Sequence, residues 1–423
     1  MCMSESLPTR KKHSQRVYRR RRIVFAILGS ATVVVLVLAG IVVATVIDVN
    51  NGIHRSAIAM PAGTASATPG VAQNTGEVNI LVMGLDSRVD EDGNPYPQAI
   101  YDAIHAEDSS VGGYNTNVLM YIHIPAGGGK AVGISIPRDD YVDYPQAIDG
   151  ASKGKIKEAY GREFSATYDT LVGQGVANAD AYQKARDAAR ETEIQTVSNF
   201  LGGVRIDHFI EITMAAFYNI AQAVQPITVC LNNATADTYS GANFTAGVQQ
   251  LDASQAMAFV RQRRDTQYSD VSLTDLDRTR RQQAFIVSLA LKLRDAGTFT
   301  NFGTMQTLID TTKQYLALDQ GFDLLSLASY AQRLSGGGIT FQTLPVERFD
   351  TIDGESVNIV DLDQIQATVA ALLTPPSAPS TATATPDPSA SSTDTPGSPA
   401  PTPAPTYTDS ESPMASGSVP CVN

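Results

Sequence analysis

The 423-residue chain carries 31 Lys and Arg against 43 Asp and Glu, a formal net charge of −12, and three cysteines. That length allows one or two folded domains. An acidic chain excludes nucleic-acid binding through bulk positive charge, and no helix-turn-helix or zinc pattern follows its one basic segment.

That basic segment, residues 1–22, holds eight Arg or Lys and one Glu, about +7, which leaves about −19 for the remainder. Next comes IVFAILGSATVVVLVLAGIVVATVI, residues 23–47, without a charge in 25 positions. About 20 apolar residues span a bilayer as a helix. The run is longer than the core of a cleaved signal peptide, and ATVIDVNNG is a poor cleavage site. Asp48, His54 and Arg55 make a much less basic flank. The positive-inside rule therefore places residues 1–22 in the cytoplasm, a single transmembrane helix at 23–47, and everything after residue 48 outside the cell membrane.

Residues 48–75, rich in Ala, Gly, Thr and Pro, read as an extracellular linker. Residues 374–423 are dominated by Pro, Ser, Thr and Ala and read as a disordered tail, because that composition cannot bury a core. Between them, residues 76–373 form the expected α/β domain: a central mixed sheet flanked by helices on both faces. Buried strands are predicted at 78–85, 117–125, 131–137, 208–213, 227–231 and 338–346. Helices are predicted at 177–202, 213–224, 253–263, 274–297 and 320–334. Thr274 with Asp277 three residues on is a helix start of the capping-box type. Alternating strands and helices argue for a sheet sandwiched by helices. Cys2 falls on the cytoplasmic side. Cys230 and Cys421 fall outside and could pair, which the sequence leaves open.

Three constellations could carry chemistry. MGLDSR (83–88) runs a strand into Asp86 and Arg88, a carboxylate and a guanidinium suited to a metal and a phosphate, or to a plain surface ion pair. SIPRDDY (135–141) again delivers Arg138 and Asp139 at a strand end, behind a proline that fixes the backbone. FVRQRRDTQYSDVSLTDLDRTRRQQ (259–283) places six arginines within 21 residues and no lysine. A planar guanidinium fork holds phosphate bidentately where lysine is a point charge. Arg261 and Arg263 close one predicted helix. Arg278, Arg281 and Gln282, at i, i+3 and i+4, share a face of the next, whose first turn also holds Asp275 and Asp277. A solvated arginine face is the plainer alternative. The histidines His13, His54, His105, His123 and His208 show no HxxxH spacing, and there is no GxSxG, P-loop or post-strand GxGxxG.

Taken in order, GLDSR (84–88), GYNTNVLMYIHIP (113–125), SIPRD (135–139), KIKEAYG (155–161), LDASQAMAFVRQR (251–263) and DLDRTRRQ (275–282) resemble the LytR-CpsA-Psr family over about residues 76–295. The resemblance implies an extracytoplasmic phosphotransferase. Such an enzyme takes a glycopolymer from a polyprenyl-pyrophosphate carrier and joins it to peptidoglycan through a phosphodiester, with Mg²⁺ or Mn²⁺. It implies a helix-flanked mixed sheet with an apolar groove for the prenyl tail. GGYNTN and the long segment LDSRVDEDGNPYPQAIYDAIHAEDSS look like the high-GC Gram-positive branch, which favours an arabinogalactan-like or other neutral wall polysaccharide. By the resemblance, Asp86 falls on the metal-binding aspartate. Arg88, Arg138, Arg261, Arg263, Arg278 and Gln282 fall on pyrophosphate-binding positions, with Arg281 the other motif arginine and Asp275 the acidic position before the last arginines. Asn117 stands where the family commonly has Asp, so it offers the metal a carbonyl oxygen without charge. Asp86, Asp139 and Asp275 are the candidates to accept the acceptor hydroxyl's proton. A carrier-lipid pyrophosphatase and a scaffold that binds lipid-linked polymers without turnover are the other readings.

Overall fold

The computed structural model describes residues 53–63, 76–110, 112–126, 129–268, 271–295, 310–322, 330, 338–374, 412–415 and 417–423. The basic segment, the apolar run 23–47, most of the expected helix 320–334 and most of the expected tail lie outside the described residues. Among the described residues no helix is long and apolar enough to cross a membrane.

In chain order the elements begin with β1 (His54–Ser56), β2 (Val78–Leu85), helix α1 (Gln98–Ala103), β3 (Thr116–Ile124) and β4 (Ala131–Ile136). A hairpin, β5 (Tyr141–Ile148) and β6 (Ala151–Lys155), leads to helices α2 (Glu158–Gly173) and α3 (Asn178–Phe200). Then come β7 (His208–Thr213), α4 (Met214–Val224), β8 (Ile227–Leu231), β9 (Thr235–Asp237), β10 (Ala242–Phe244) and β11 (Gly247–Leu251). Helices α5 (Ala253–Arg261) and α6 (Asp275–Asp295) precede β12 (Leu316–Asp319) and β13 (Ile339–Thr343). The chain ends with the hairpin β14 (Arg348–Ile352) and β15 (Glu355–Ile359), helix α7 (Leu362–Leu373), β16 (Met414–Ala415) and β17 (Cys421–Val422).

Eight of these strands form one mixed sheet in the order β1-β12-β7-β2-β3-β4-β13-β16. β2 sits in the middle, parallel to β7 and antiparallel to β3. The strand period of two sorts its apolar run onto both faces. Ile80 and Val82 join the core built with α4, α5 and α6; Leu81, Met83 and Leu85 join the core built with α2, α3 and α7. A strand buried on both sides reads as a continuous apolar stretch, which is why VNILVMGL stood out in sequence.

The fold reaches beyond the expected domain at both ends. His54–Ser56 pairs with β12, with Ile53 only 3% exposed, so part of the expected linker 48–75 is a strand of the sheet. The expected tail 374–423 is not tail to its end. Met414 and Ala415 add to the sheet edge at β13, β17 lies parallel to β8, and Cys421 is disulfide-bonded to Cys230. Two apolar side chains, Met414 and Val422, hold these strands in the core; the Pro-rich composition around them hid that.

Candidate functional site

The C-terminal end of β2 meets the start of β3 and the end of β4. Gly84 is required there: a Cβ would come within 2.8 Å of Val118 Cβ, and the β2–β3 register shifts at Gly84/Leu85. The irregularity turns Asp86 out of the ladder, its N–H donating to Asn115 O at 3.0 Å. Asn117 Nδ2 donates to Asp86 Oδ2 at 3.0 Å, and Asn117 Oδ1 accepts from Arg138 Nη1.

Helix α6 supplies the facing wall. Its capping box forms as expected: Thr274 Oγ1 and N both donate to Asp277 Oδ2 at 2.8 Å. Asp277 is therefore occupied by the cap. At about 100° per residue, positions 278, 282, 285, 286 and 289 fall on one stripe. Arg278 and Gln282 begin that stripe and Phe285, Ile286 and Leu289 continue it, all five lining one cavity of about 390 Å³. The cavity thus passes from cationic to apolar along a single helix face. Arg138, Arg261, Arg263 and Arg264 join Arg278 at the charged end, with Asp86 and Asn117; Met214, Phe217 and Ile220 of α4 and Met257 and Val260 of α5 extend the apolar end.

Arg138, only 6% exposed, is shared between Asp275 Oδ1 at 3.1 Å and Asp139 Oδ2 at 3.5 Å. Arg278, also 6% exposed, reaches Asp275 at 3.0 Å. One carboxylate thus serves two arginines. Arg278 Nε is a buried donor without a hydrogen-bond partner among the described residues, and Arg138 Nε has only the 3.5 Å ion-pair approach to Asp139. Burial, aided by Arg138 and Arg263, pushes the Arg278 guanidinium down to about 10. Burial likewise lowers Arg263, with Arg138 and Arg264 adding to it, and lowers Arg261, with Arg88 adding to it. Buried Arg138 and Arg278, mutually repelling and joined by the exposed Arg263, make a site for a multiply charged anion.

The structure does not bring every expected residue to the cavity wall. Arg88 lies outside the lining and donates from Nη1 to Glu107 O at 3.0 Å. Arg281 sits on the flank of α6 and is fully buried. Its guanidinium donates to Gln262 Oε1, Thr235 Oγ1 and Asn423 O and lies 5.3 Å from the Phe259 ring, so it ties β9 and the C-terminal strand to the helix. Asp139 and Asp275 stand behind the arginines as their counter-ions. Asp139 also pairs with Lys157 at 2.6 Å; burial raises its carboxyl, but Arg138 and Lys157 outweigh that and hold it low, which makes it a weak base. Arg264, Asp237, Tyr239 and Ser240 line the cavity without having been singled out as site residues. Arg264 was visible in the arginine run; the other three belong to the end of the short strand β9 and the turn after it, without a periodic signal.

Among the described residues no group of three His, Cys, Asp or Glu side chains could hold a metal. The expected Asp86–Asn117 oxygen pair does not form, because Asn117 turns its carbonyl to Arg138 and its amide hydrogens to Asp86. Asp86 Oδ1 alone fits a hard cation, which can bind through one carboxylate plus substrate phosphates and water.

A second ionic cluster anchors the loop that leaves Asp86. Glu91 accepts from Arg186 Nη2 and Arg190 Nη2, each at 2.8 Å, and both arginines also bind Glu211 of β7. All four side chains are 2% exposed or less.

Fold and cavity define a class: a mixed-sheet α/β domain with an amphipathic cavity at its strand ends, cationic at one end and apolar at the other. The chain belongs to the family described as LytR_cpsA_psr family, whose profile matches residues 46–373. It is 38% identical over 295 residues to the cell wall biosynthesis protein LcpA of Corynebacterium glutamicum, covering 69% of this chain and 55% of that protein. It is 27% identical over 291 residues to the polyisoprenyl-teichoic acid–peptidoglycan teichoic acid transferase TagU of Oceanobacillus iheyensis, covering 68% and 72%. The chain thus spans little more than half the length of the Corynebacterium relative. The fold is shared with protein gbs0355 of Streptococcus agalactiae, at a TM-score of 0.52 and 17% identity over 70% of this chain and 87% of that one.

Proposed function

We propose that this protein is a phosphotransferase that moves a wall glycopolymer from a polyprenyl-diphosphate carrier to a peptidoglycan hydroxyl. The observation that carries the reading is the gradient along one wall: Arg278 and Gln282, then Phe285, Ile286 and Leu289, in one cavity. That order matches a ligand with a diphosphate head and a hydrocarbon tail. The transferase named for the Oceanobacillus relative supports the reaction class.

In the transfer, the acceptor hydroxyl oxygen bonds to the phosphorus that carries the sugar. The bond from that phosphorus to the bridging oxygen breaks, polyprenyl phosphate leaves, and the hydroxyl proton finishes on the departing phosphate. A loose phosphoryl transition state asks mainly for positioning and for stabilisation of charge on non-bridging oxygens. Arg138, Arg263 and Arg278 supply both, and Asp275 and Asn117 fix the orientation of Arg138 and Arg278. Arg261, whose guanidinium also donates to Ile104 O, and Arg264 add positive charge around them. The apolar wall excludes water from the bond that breaks, which favours transfer to sugar over hydrolysis. Mg²⁺, held by Asp86 and the phosphates, would neutralise charge on the diphosphate.

The polymer we assign is a neutral, arabinogalactan-like wall polysaccharide, on the motif variants around GGYNTN. The same reading puts the protein at the cell membrane, with the apolar run 23–47 as its anchor and the domain outside. The test is incubation of the full chain in nanodiscs with a polyprenyl-diphosphate-linked oligosaccharide and peptidoglycan. Ligated phosphodiester product is expected, lost in Arg138→Ala; release of free polymer phosphate without acceptor, and no ligation with it, would overturn the reading.

A further inference from the structure

The rim of the cavity carries a feature that the diphosphate and its hydrocarbon tail leave unused. Tyr239, in the turn between β9 and β10, lines the cavity yet is 67% exposed. An aromatic ring left in water has a hydrophobic cost, and here it is not left to move freely. The Arg264 guanidinium lies 4.3 Å from its ring centroid. The turn itself is fixed by a buried carboxylate: Asp237 Oδ1 accepts from Tyr239 N at 3.0 Å and Asp237 Oδ2 from Ser240 Oγ at 2.8 Å. Beside it, Gly241 has φ +76° and packs on His105, where a Cβ would come within 2.6 Å of the imidazole. The loop after α5 is bound to the same strand, Asp265 accepting from Ala236 N at 2.7 Å. Ring, cation and loop therefore form one rigid rim, next in sequence to Arg263 of the phosphate cluster.

We propose that Tyr239, backed by Arg264, is a stacking platform for the first sugar of the donor, the ring attached directly to the diphosphate. The inference rests on the diphosphate reading above. The face of an aromatic ring is electron-rich and attracts the polarised C–H bonds on the flat side of a sugar. The cation holds one ring face, which leaves the other for the ligand. A sugar one bond from a phosphate seated on Arg263 and Arg278 projects toward that rim. The ring selects for a sugar in that place without reading its stereochemistry in detail.

The test measures binding by the full chain in nanodiscs of two probes, polyprenyl diphosphate and polyprenyl-diphospho-N-acetylglucosamine. Tyr239→Ala is expected to weaken the sugar-bearing probe about tenfold and leave the sugar-free one within twofold of wild type. Tyr239→Phe is expected to bind both as wild type does. Unchanged affinity of Tyr239→Ala for the sugar-bearing probe overturns the inference. Equal weakening of both probes also overturns it, since the ring would then serve only the phosphate arginines through Arg264. Wild-type protein that binds neither probe refutes the diphosphate reading itself, a result separable from the other two.

Discussion

Replacing Arg278 by leucine separates what the site needs from what the fold needs. The guanidinium is 6% exposed and its pKa falls from the ordinary guanidinium range to about 10, with burial the largest cause and Arg138 and Arg263 adding to it. A drop of that size makes the charged form less stable in the folded protein by about 3 kcal/mol. The unfolded pKa is the higher of the two, so the destabilisation is full at pH 7 and fades only as pH rises past 10. Leucine removes it. Asp275 is not orphaned, because Arg138 stays at 3.1 Å. Lost packing of the side-chain stem offsets part of the gain, leaving a net stabilisation of about 1–3 kcal/mol, or several degrees in Tm. Transfer should move the other way. Loss of two charge-assisted hydrogen bonds to the diphosphate, at about 1.5–3 kcal/mol each, lowers kcat/KM about 10²–10⁴-fold. Calorimetry and the ligation assay on the same preparation decide it. A variant that melts earlier than wild type and still transfers at the wild-type rate would refute the reasoning.

Arg263→Ala and Arg281→Ala should differ in kind: the first lowers transfer with little change in Tm, the second lowers Tm because it leaves the buried Thr235 and Gln262 without their shared donor. Glu91→Ala should destabilise by about 3–5 kcal/mol, read as a lower denaturation midpoint, since it leaves two buried arginines short of a partner. Reduction of Cys230–Cys421, 191 residues apart in sequence, should cost about 5 kcal/mol on loop entropy alone, seen as a lower Tm in reductant. Asn117→Asp should tighten half-saturation by Mg²⁺ about tenfold in the transfer assay, because a second carboxylate then faces the cation beside Asp86.

The central sheet was legible because its strands are buried on both faces. VNILVMGL and HFIEIT became β2 and β7 at the residues the apolar runs marked. Helix α6 was legible through its cap and its period. Helices α2 and α7 were not foreseen, and the other misses were local. The i, i+3, i+4 grouping put Arg281 with Arg278, but a helical stripe drifts, and the cavity follows 278, 282, 285, 286 and 289 while Arg281 turns to β9. The hairpin β14–β15 is mostly polar and exposed, and in β5 the buried Val142 and Tyr144 alternate too briefly to announce a strand. The C-terminal strands are two residues each, anchored by a disulfide and two buried side chains, too short for composition to register. Arg138 was foreseeable from its strand end, and Arg261, Arg263 and Arg278 from the arginine run at the ends of two helices; the shared use of Asp275, and the amide bridge from Asp86 to Arg138, depend on tertiary geometry alone.

The most direct measurement is a structure of the protein with polyprenyl diphosphate. The expected result places the phosphates within hydrogen-bond reach of Arg138 and Arg278, and the hydrocarbon along Phe285, Ile286 and Leu289. Phosphates bound away from those two arginines, or a tail lying outside that wall, would contradict it.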